Sequence, residues 1–358
     1  MSNYFTMKKH LLPLVFSCCA LLVACNTTQK LYEAKEYDQV IMKTAPKLCS
    51  GRITAESVNL AANAYHHANQ ADHERILALK ATGQPDIWPE IYERYRSMKG
   101  RNEALDCLPN EIKKGINFTK LDLDEELSGA QNKAEAYLEA KINQSLQANG
   151  QDSGSTDRLI HELERVNPSN SRLNEFKLVS ILRQSGDVLA GCTPKRGIHL
   201  PMGVEQAVMS FDANETASFP VRIHYRKRPR VRYGAIMDIV IKRCETSSDR
   251  DESVSFKESN GNQTVTVTDH NLSKTGTIKA TLKVYDPRSG EFLVSIPLEA
   301  NSKFAHSHTT IEGPREACSA QTLERLNQQA VPFPTDESIL IDAAKELNNM
   351  VAKLIANK

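Results

Sequence analysis

The residues with the clearest chemical potential form a short cationic run in the second half of the chain. Six positive charges occupy eleven positions, and they are Arg222, Arg226, Lys227, Arg228, Arg230 and Arg232. Guanidinium groups bind phosphate and carboxylate groups through paired hydrogen bonds, so the run is a candidate site for an anionic ligand. The alternative is a solvated strand face in which Arg230 and Arg232 pair with the acidic loop 249–252.

Histidines offer a second, less specific possibility. His306 and His308 alternate along a predicted strand, so their rings share one face as an H-x-H metal pair would, with Glu312 as a third ligand. A metal-dependent hydrolase is one hypothesis on this basis, but a lone H-x-H pair does not predict a metal. His66 and His67 are adjacent and point about 100° apart on a helix, which indicates a solvated polar face.

Common catalytic motifs are absent from the sequence. It contains no G-x-S-x-G elbow, no phosphate-binding glycine loop, no H-E-x-x-H helix, no G-x-G-x-x-G turn and no EF-hand loop. We therefore expect a non-catalytic protein that needs no cofactor.

The amino-terminal segment carries a targeting signal. Lys8 and Lys9 precede an apolar run, which ends in Leu22-Val23-Ala24-Cys25. This order is typical of a secretory signal peptide, and the run is too short to span a bilayer comfortably. The last four residues resemble the lipobox of bacterial lipoproteins. The resemblance implies that residues 1–24 are removed and that Cys25 becomes the lipidated first residue, anchored without spanning the membrane.

The residue after the lipobox bears on location. In lipoproteins of the enterobacterial kind, an Asp directly after the Cys retains the protein in the inner membrane, and this chain has Asn26 instead. The resemblance therefore implies a bacterial cell-envelope protein on the periplasmic face of the outer membrane.

Composition limits the classes of partner. Removal of residues 1–24 would leave 334 of the 358 residues, a length typical of two domains. The remaining 43 basic and 44 acidic residues give no global charge that would favour nucleic acid. We expect a folded globular protein with a protein partner in an envelope assembly.

Five cysteines remain if Cys18 and Cys19 leave with the signal and Cys25 is lipidated. They are Cys49, Cys107, Cys192, Cys244 and Cys318. Export permits disulfides, but the odd number leaves at least one thiol unpaired, and no CxxC pair indicates a zinc or redox motif. Bridges from Cys49 to Cys107 and from Cys192 to Cys244 are both geometrically possible.

Residues 25–190 show helical periodicity. Tyr32, Tyr65 and Tyr95 are 33 and 30 residues apart, each before a polar turn and a second apolar run. The segments KLYEAKEYDQVIMKTAP and YERYRSMKGRNEALDCLP resemble tetratricopeptide repeats, stacked helix pairs with a period of about 34 residues. The middle unit, HHANQADHERIL, departs from the repeat, and the alternative is an irregular helical bundle. Further helices are predicted over 124–148, 157–166 and 172–189.

Alternation replaces this periodicity over residues 191–312. Predicted strands contain Phe219–Tyr225, Met237–Ile241, Val265–Val267, Ile278–Val284 and Phe292–Ile296. The last two flank Asp286-Pro287-Arg288-Ser289-Gly290, which is the clearest hairpin turn in the chain. The pattern predicts an antiparallel β-sandwich-like domain. Residues 313–358 form a C-terminal helical segment whose last helix carries an apolar stripe that we expect to pack on the β domain.

These observations predict an α+β protein with a tetratricopeptide-like helical domain followed by a β-sandwich-like domain. The expected function is that of a lipid-anchored envelope scaffold or adaptor that binds a protein partner in its helical groove. The alternative is a binding module that recognises an anionic envelope ligand through the cluster Arg222–Arg232.

Overall fold

A computed structural model describes residues 27–147, 153–211 and 219–356. The proposed signal peptide and Cys25 lie outside these residues. The chain divides into two compact units. The first takes the residues up to Asn143 together with His161–Ser169, and the second takes Gln144–Ile160 and the residues from Asn170 onward.

The part of the chain before the sheet is helical. Its helices are α1 (27–33), α2 (Tyr37–Cys49), α3 (Ala55–Thr82), α4 (Trp88–Leu105), α5 (Asn110–Gly115), α6 (Asp124–Gln147), α7 (Ser153–Val166) and α8 (Leu173–Ser185). Helix ends carry the expected local signals. A capping box of Thr54 and Ser57 begins α3, and Gly83 in the left-handed region, with φ 66°, ends it.

Helices α2, α3 and α4 share one hydrophobic core. Its α2 stripe comprises Val40, Ile41, Ala45 and Leu48, all at helical spacing and all buried. The hydroxyl of Tyr65 in α3 donates to Oδ1 of Asn102 in α4 at 2.6 Å. Of the tyrosines in the periodic pattern, Tyr65 therefore belongs to this core and Tyr32 packs against it.

The tetratricopeptide-like repeat is not confirmed. Two of its three predicted helix–turn–helix units are single helices, because α3 runs unbroken through HHANQADHERIL and α4 runs unbroken through Gly100. This segment of α3 contains no glycine or proline, so its polar residues, most of which are exposed, do not end the helix. A glycine within a helix costs only about 1 kcal/mol, which packing against α2 and α3 overcomes.

The second unit contains the strands and the remaining helices. The strands are β1 (Asp187–Pro194), β2 (Arg222–His224), β3 (Ala235–Thr246), β4 (Arg250–Asn260), β5 (Gln263–Tyr285) and β6 (Phe292–Glu312). The helices are α9 (Met202–Met209), α10 (Ala320–Arg325) and α11 (Asp336–Ala356). Strand β1 begins within the segment predicted as helical to residue 189, because Gly186, with φ 66°, ends α8 early.

The described strands form one mixed sheet, so the prediction of an antiparallel sandwich was wrong in this respect. The sheet order is β2-β1-β3-β5-β4, and β6 also pairs with β5. Strand β1 lies between β2 and β3 and pairs in parallel with both. Alternation of apolar residues cannot distinguish parallel from antiparallel pairing. The α+β class is confirmed.

Helices cover one face of this sheet in place of a second sheet. The core joins Ile239, Ile278 and Leu282 of the sheet to Ala343 and Leu347 of α11. Thr335 caps α11 by accepting a hydrogen bond from the backbone N–H of Ser338 at 3.1 Å. The predicted turn 286–290 is confirmed, since Oδ1 of Asp286 accepts from the N–H groups of Arg288 and Ser289.

Candidate functional site

Most of the cationic run lies in a loop that leaves and re-enters the sheet at one point. The backbone N–H of Arg222 donates to the carbonyl of Gly186 at 2.8 Å, and the N–H of Gly234 donates to the carbonyl of Asp187 at 2.9 Å. The chain is therefore held beside the start of β1 both before and after the loop. We call residues 225–233 the cationic loop.

A turn and a tyrosine shape this loop internally. The N–H of Val231 donates to the carbonyl of Arg228 at 3.4 Å, with Pro229 and Arg230 between them. Arg230 has φ 70°, as the third residue of a type II turn requires. The hydroxyl of Tyr233 accepts from the N–H of Arg228 at 2.7 Å and donates to the carbonyl of Arg226 at 3.4 Å. The cationic side chains thus project from an organised backbone.

One of the six predicted cations is engaged within the protein. Arg222 forms a two-pronged ion pair with Asp187 at 3.0 and 2.9 Å, and Nε2 of His224 lies 2.7 Å from the same carboxylate. The Arg222 and His224 hydrogen bonds lower the pKa of Asp187 to about 2. This ion pair joins β1 to β2 at the base of the cationic loop.

The other five cations are exposed. They are Arg226, Lys227, Arg228, Arg230 and Arg232, and none pairs with a carboxylate of the described residues. The acidic loop 249–252, the alternative partner of Arg230 and Arg232 in the sequence analysis, has other partners. Asp249 pairs with Lys274, Asp251 with His270, and Glu252 with Arg250. The cationic loop therefore presents to solvent five positive charges that no carboxylate of the described residues neutralises.

The predicted histidine pair lies on β6 and meets a third histidine. The rings of His308 and His270 stack with centroids 4.7 Å apart, and those of His306 and His308 are 5.9 Å apart. His270 hydrogen-bonds Asp251, and His306 contacts the carbonyl of Gln329 at 2.8 Å. Within the described ranges, no three His, Cys, Asp or Glu side chains are arranged to hold a metal ion.

One of the two possible disulfides is formed. Cys49 at the end of α2 bonds to Cys107 after α4, with their Cα atoms 5.7 Å apart. Cys192, Cys244 and Cys318 are free thiols. The sequence left these alternatives open because pairing depends on which distant segments meet.

The sequence analysis did not predict a buried ionic network in the first compact unit, which is called the helical unit below. Arg101 of α4 is 4% exposed and binds Asp72 of α3, Oδ1 of Asp38 at 2.5 Å and Oδ1 of Asn69 at 2.9 Å. Arg94 also binds Asp72, at 2.6 Å. A sequence signal exists, since Asp72 occupies a helical stripe that is otherwise apolar and comprises Ala61, Tyr65, Ala68, Ile76 and Leu79.

This network forms the floor of a cleft between α2 and α4. Two adjoining pockets of about 520 and 440 Å³ share Asp38, Glu93, Ser97 and Arg101 as lining residues. Hydrogen bonds from Arg75 and Arg94 lower the pKa of Glu90, on the wall of the first pocket, to about 2. Met42, which is 63% exposed, adds an apolar side chain to the second pocket.

Comparisons with known proteins place few constraints on this chain. No protein-family model matches it, and neither does any curated protein. A crystal structure of a minor lipoprotein from Acinetobacter baumannii aligns at 8% identity over 48% of this chain and 92% of that chain, with a TM-score of 0.19. An alignment at this TM-score carries no argument about fold or function. Among the helices described, none has the length and apolar character needed to cross a bilayer.

Proposed function

We propose that this chain is a non-catalytic binding protein of the bacterial envelope, lipid-anchored through Cys25 on the periplasmic face of the outer membrane. Its second compact unit, which contains the sheet, binds a phosphate-bearing anionic ligand through the cationic loop. One observation carries the proposal, namely that five exposed cations of this loop have no carboxylate partner among the described residues.

The physical argument is electrostatic. Like charges crowded in one loop repel one another, and an anionic ligand removes this repulsion when it binds. Four of the five side chains are arginines, whose planar guanidinium groups match phosphate oxygens better than lysine does. The Tyr233 hydrogen bonds hold the loop backbone before the ligand arrives, which lowers the entropic cost of binding.

The test is binding of inorganic polyphosphate by the chain from residue 25 onward, carrying Cys25→Ala so that no acyl group contributes. We expect affinity that falls steeply with added salt. The double variant Arg228→Glu, Arg230→Glu should bind about 100-fold more weakly or worse, since each charge-assisted hydrogen bond contributes about 1.5–3 kcal/mol.

The matched control is Arg288→Glu, Lys303→Glu, which removes two exposed cations of the same unit and changes the net charge equally. It should bind like the parent chain. Equal losses in both double variants would show that net charge alone is responsible, and the site assignment would then be abandoned.

A second candidate function is that of an adaptor that holds a protein partner in the α2–α4 cleft. The supporting observation is the floor of the cleft, formed by the ion pairs of the buried Arg101, beside the exposed side chain of Met42. Met42 supplies an adaptable apolar contact, and the surrounding charges supply specificity.

Crosslinked pull-down from intact cells tests the adaptor function. We expect one envelope protein to be recovered with the wild-type chain and lost with Met42→Arg. Leu77→Arg, which places the same charge at an exposed position of α3, should retain it. Recovery of the partner by both variants would exclude the cleft as its binding site.

A further inference from the structure

A groove with both apolar and polar lining residues lies beside the cationic loop. It has a volume of about 350 Å³ and is lined by residues 190–192 of β1, by Met202, Glu205, Gln206 and Met209 of α9, and by Tyr225. Met202 is 91% exposed and Tyr225 is 47% exposed, so both present large apolar surfaces to solvent. Exposed apolar side chains grouped around a concave surface indicate a binding site more strongly than scattered ones do.

One ionisable carboxylate, that of Glu205, lines the groove, and the other lining side chains are neutral. Burial, with smaller contributions from Glu205 and Asp238, raises the pKa of the Cys192 thiol to about 12, so the thiol is neutral at physiological pH. Burial also raises the pKa of Tyr225. Glu205 and Gln206 are the exposed polar residues of the lining. The lining therefore contributes one negative charge, compared with five positive charges in the cationic loop.

Tyr225 connects the groove to the cationic loop. Its ring lines the groove and stacks on Phe211 with centroids 6.4 Å apart, and the next residue, Arg226, is the first unpaired cation. Tyr225 is therefore half-exposed between the groove and the cations of the loop, and tyrosine is enriched at membrane–water interfaces.

We propose that the ligand of the cationic loop is an acidic phospholipid of a membrane surface. Its phosphate binds the arginines of the loop, and the upper part of one acyl chain enters the groove against Met202 and Tyr225. This inference rests on the proposed function and adds to it the chemical class of the ligand. Charge complementarity selects the acidic headgroup, and the apolar side chains of Met202, Met209 and Tyr225 in the groove select an amphiphile over a soluble polyanion.

The volume of the groove suits this role. At about 30 Å³ for each water molecule in the liquid, it has room for about a dozen waters. It is at the lower end of the 300–1,000 Å³ range typical of small-molecule pockets. Part of one acyl chain fits this space, and the rest of the lipid stays in the bilayer.

Vesicle co-sedimentation tests the proposal with the same Cys25→Ala chain. The vesicles contain phosphatidylcholine alone or phosphatidylcholine with phosphatidylglycerol. We expect binding only to the acidic vesicles. Each cation removed near an acidic surface should lower binding about fivefold, so Arg228→Gln, Arg230→Gln should lower it about 30-fold. Arg288→Gln, Lys303→Gln is the charge-matched control.

The groove is tested separately from the charge. Met202→Gln should bind acidic vesicles about tenfold more weakly, because one apolar side chain no longer enters the acyl region. Its polyphosphate affinity should stay unchanged. Leu77→Gln, at another exposed apolar position, should leave both affinities unchanged. Since Met202 is almost fully exposed, its replacement leaves the packing of the fold intact.

The outcomes separate this inference from the proposed function. If Met202→Gln binds acidic vesicles like the parent chain while the arginine variants lose polyphosphate, the loop binds a soluble polyanion and the lipid inference is wrong. If the arginine variants keep the parent chain's affinity for both polyphosphate and acidic vesicles, the proposed function itself is wrong. Binding to pure phosphatidylcholine that equals binding to acidic vesicles would also overturn the lipid inference.

Discussion

At the residue scale, Asp187 determines how the cationic loop is attached to the sheet. Its carboxylate accepts hydrogen bonds from Arg222 and also contacts Nε2 of His224. Its backbone carbonyl accepts a hydrogen bond from the N–H of Gly234. One residue of β1 therefore fixes strand β2 and both ends of the loop. Sequence alone shows a single aspartate after a glycine, a common turn composition that does not reveal this role.

The pH dependence of stability follows from the same residue. Because the folded state holds the pKa of Asp187 at about 2, below its value in the unfolded chain, its contribution is present at neutral pH and is lost between about pH 4 and pH 2. We expect Asp187→Asn to lower the urea midpoint of the strand circular-dichroism signal at pH 7. The difference from wild type should shrink as the pH falls through that window.

An aspartate on α11 serves as the control for this measurement. Asp342 is exposed and pairs only with Lys345 in the same helix, so Asp342→Asn should leave the midpoint at pH 7 almost unchanged. A pH profile of Asp187→Asn that runs parallel to wild type would show that the ion pair does not contribute.

At the element scale, a disulfide bond crosslinks two elements of the helical unit. The Cys49–Cys107 bond closes a loop with a sequence separation of 58 residues around α3 and α4. This bond connects the end of α2 to the turn before α5. It complements a core that already joins α2, α3 and α4.

We expect removal of this disulfide to destabilise the helical unit by about 4 kcal/mol, the chain-entropy value for a loop of this length. The double variant Cys49→Ser, Cys107→Ser should show this loss in urea unfolding followed by the fluorescence of Trp88, the only tryptophan, which lies in this unit. Cys318→Ser removes a free thiol of the other unit and should leave the Trp88 transition unchanged. An unchanged midpoint in the double variant would contradict the bond.

Close packing between α8 and β3 positions the second end of the cationic loop. A Cβ atom on Gly234 would overlap the backbone of Ser185 at the end of α8. Gly234→Ala must therefore shift one of these segments, and we expect a loss of about 1–3 kcal/mol in stability together with weaker polyphosphate binding.

Gly100 provides the comparison for this substitution. A Cβ there meets no atom within 4 Å, and an alanine within a helix is favoured by up to about 1 kcal/mol. Gly100→Ala should raise the urea midpoint and leave polyphosphate binding unchanged. The packing argument is wrong if Gly234→Ala is as stable as wild type and binds polyphosphate equally well.

At the scale of the whole molecule, the proposed anchor determines where the binding surfaces operate. Mass spectrometry of the purified wild-type protein should find residues 1–24 absent and an acylated cysteine at position 25. Cys25→Ala should carry no acyl group and should leave the outer-membrane fraction of a density gradient. An unmodified amino terminus on the wild-type protein would refute the lipoprotein assignment.

The sequence by itself determined the features that depend on neighbouring residues. The turn 286–290 follows from local hydrogen bonding and backbone conformation, so its sequence predicts it. The helix ends at Thr54, Gly83 and Thr335 depend on interactions of the same short range. The break expected within α3 failed because local polarity indicates exposure, and a polar face does not interrupt backbone hydrogen bonds.

Tertiary structure alone decided the features that depend on distant residues. Parallel pairing of β1, the choice of Cys107 as the partner of Cys49, and the burial of Arg101 each join segments that the sequence separates. The candidate site shows the same division. The sequence located its arginines, whereas the fold decided that Arg222 is paired and that the other cations are not, because only three-dimensional packing determines which carboxylates lie within reach.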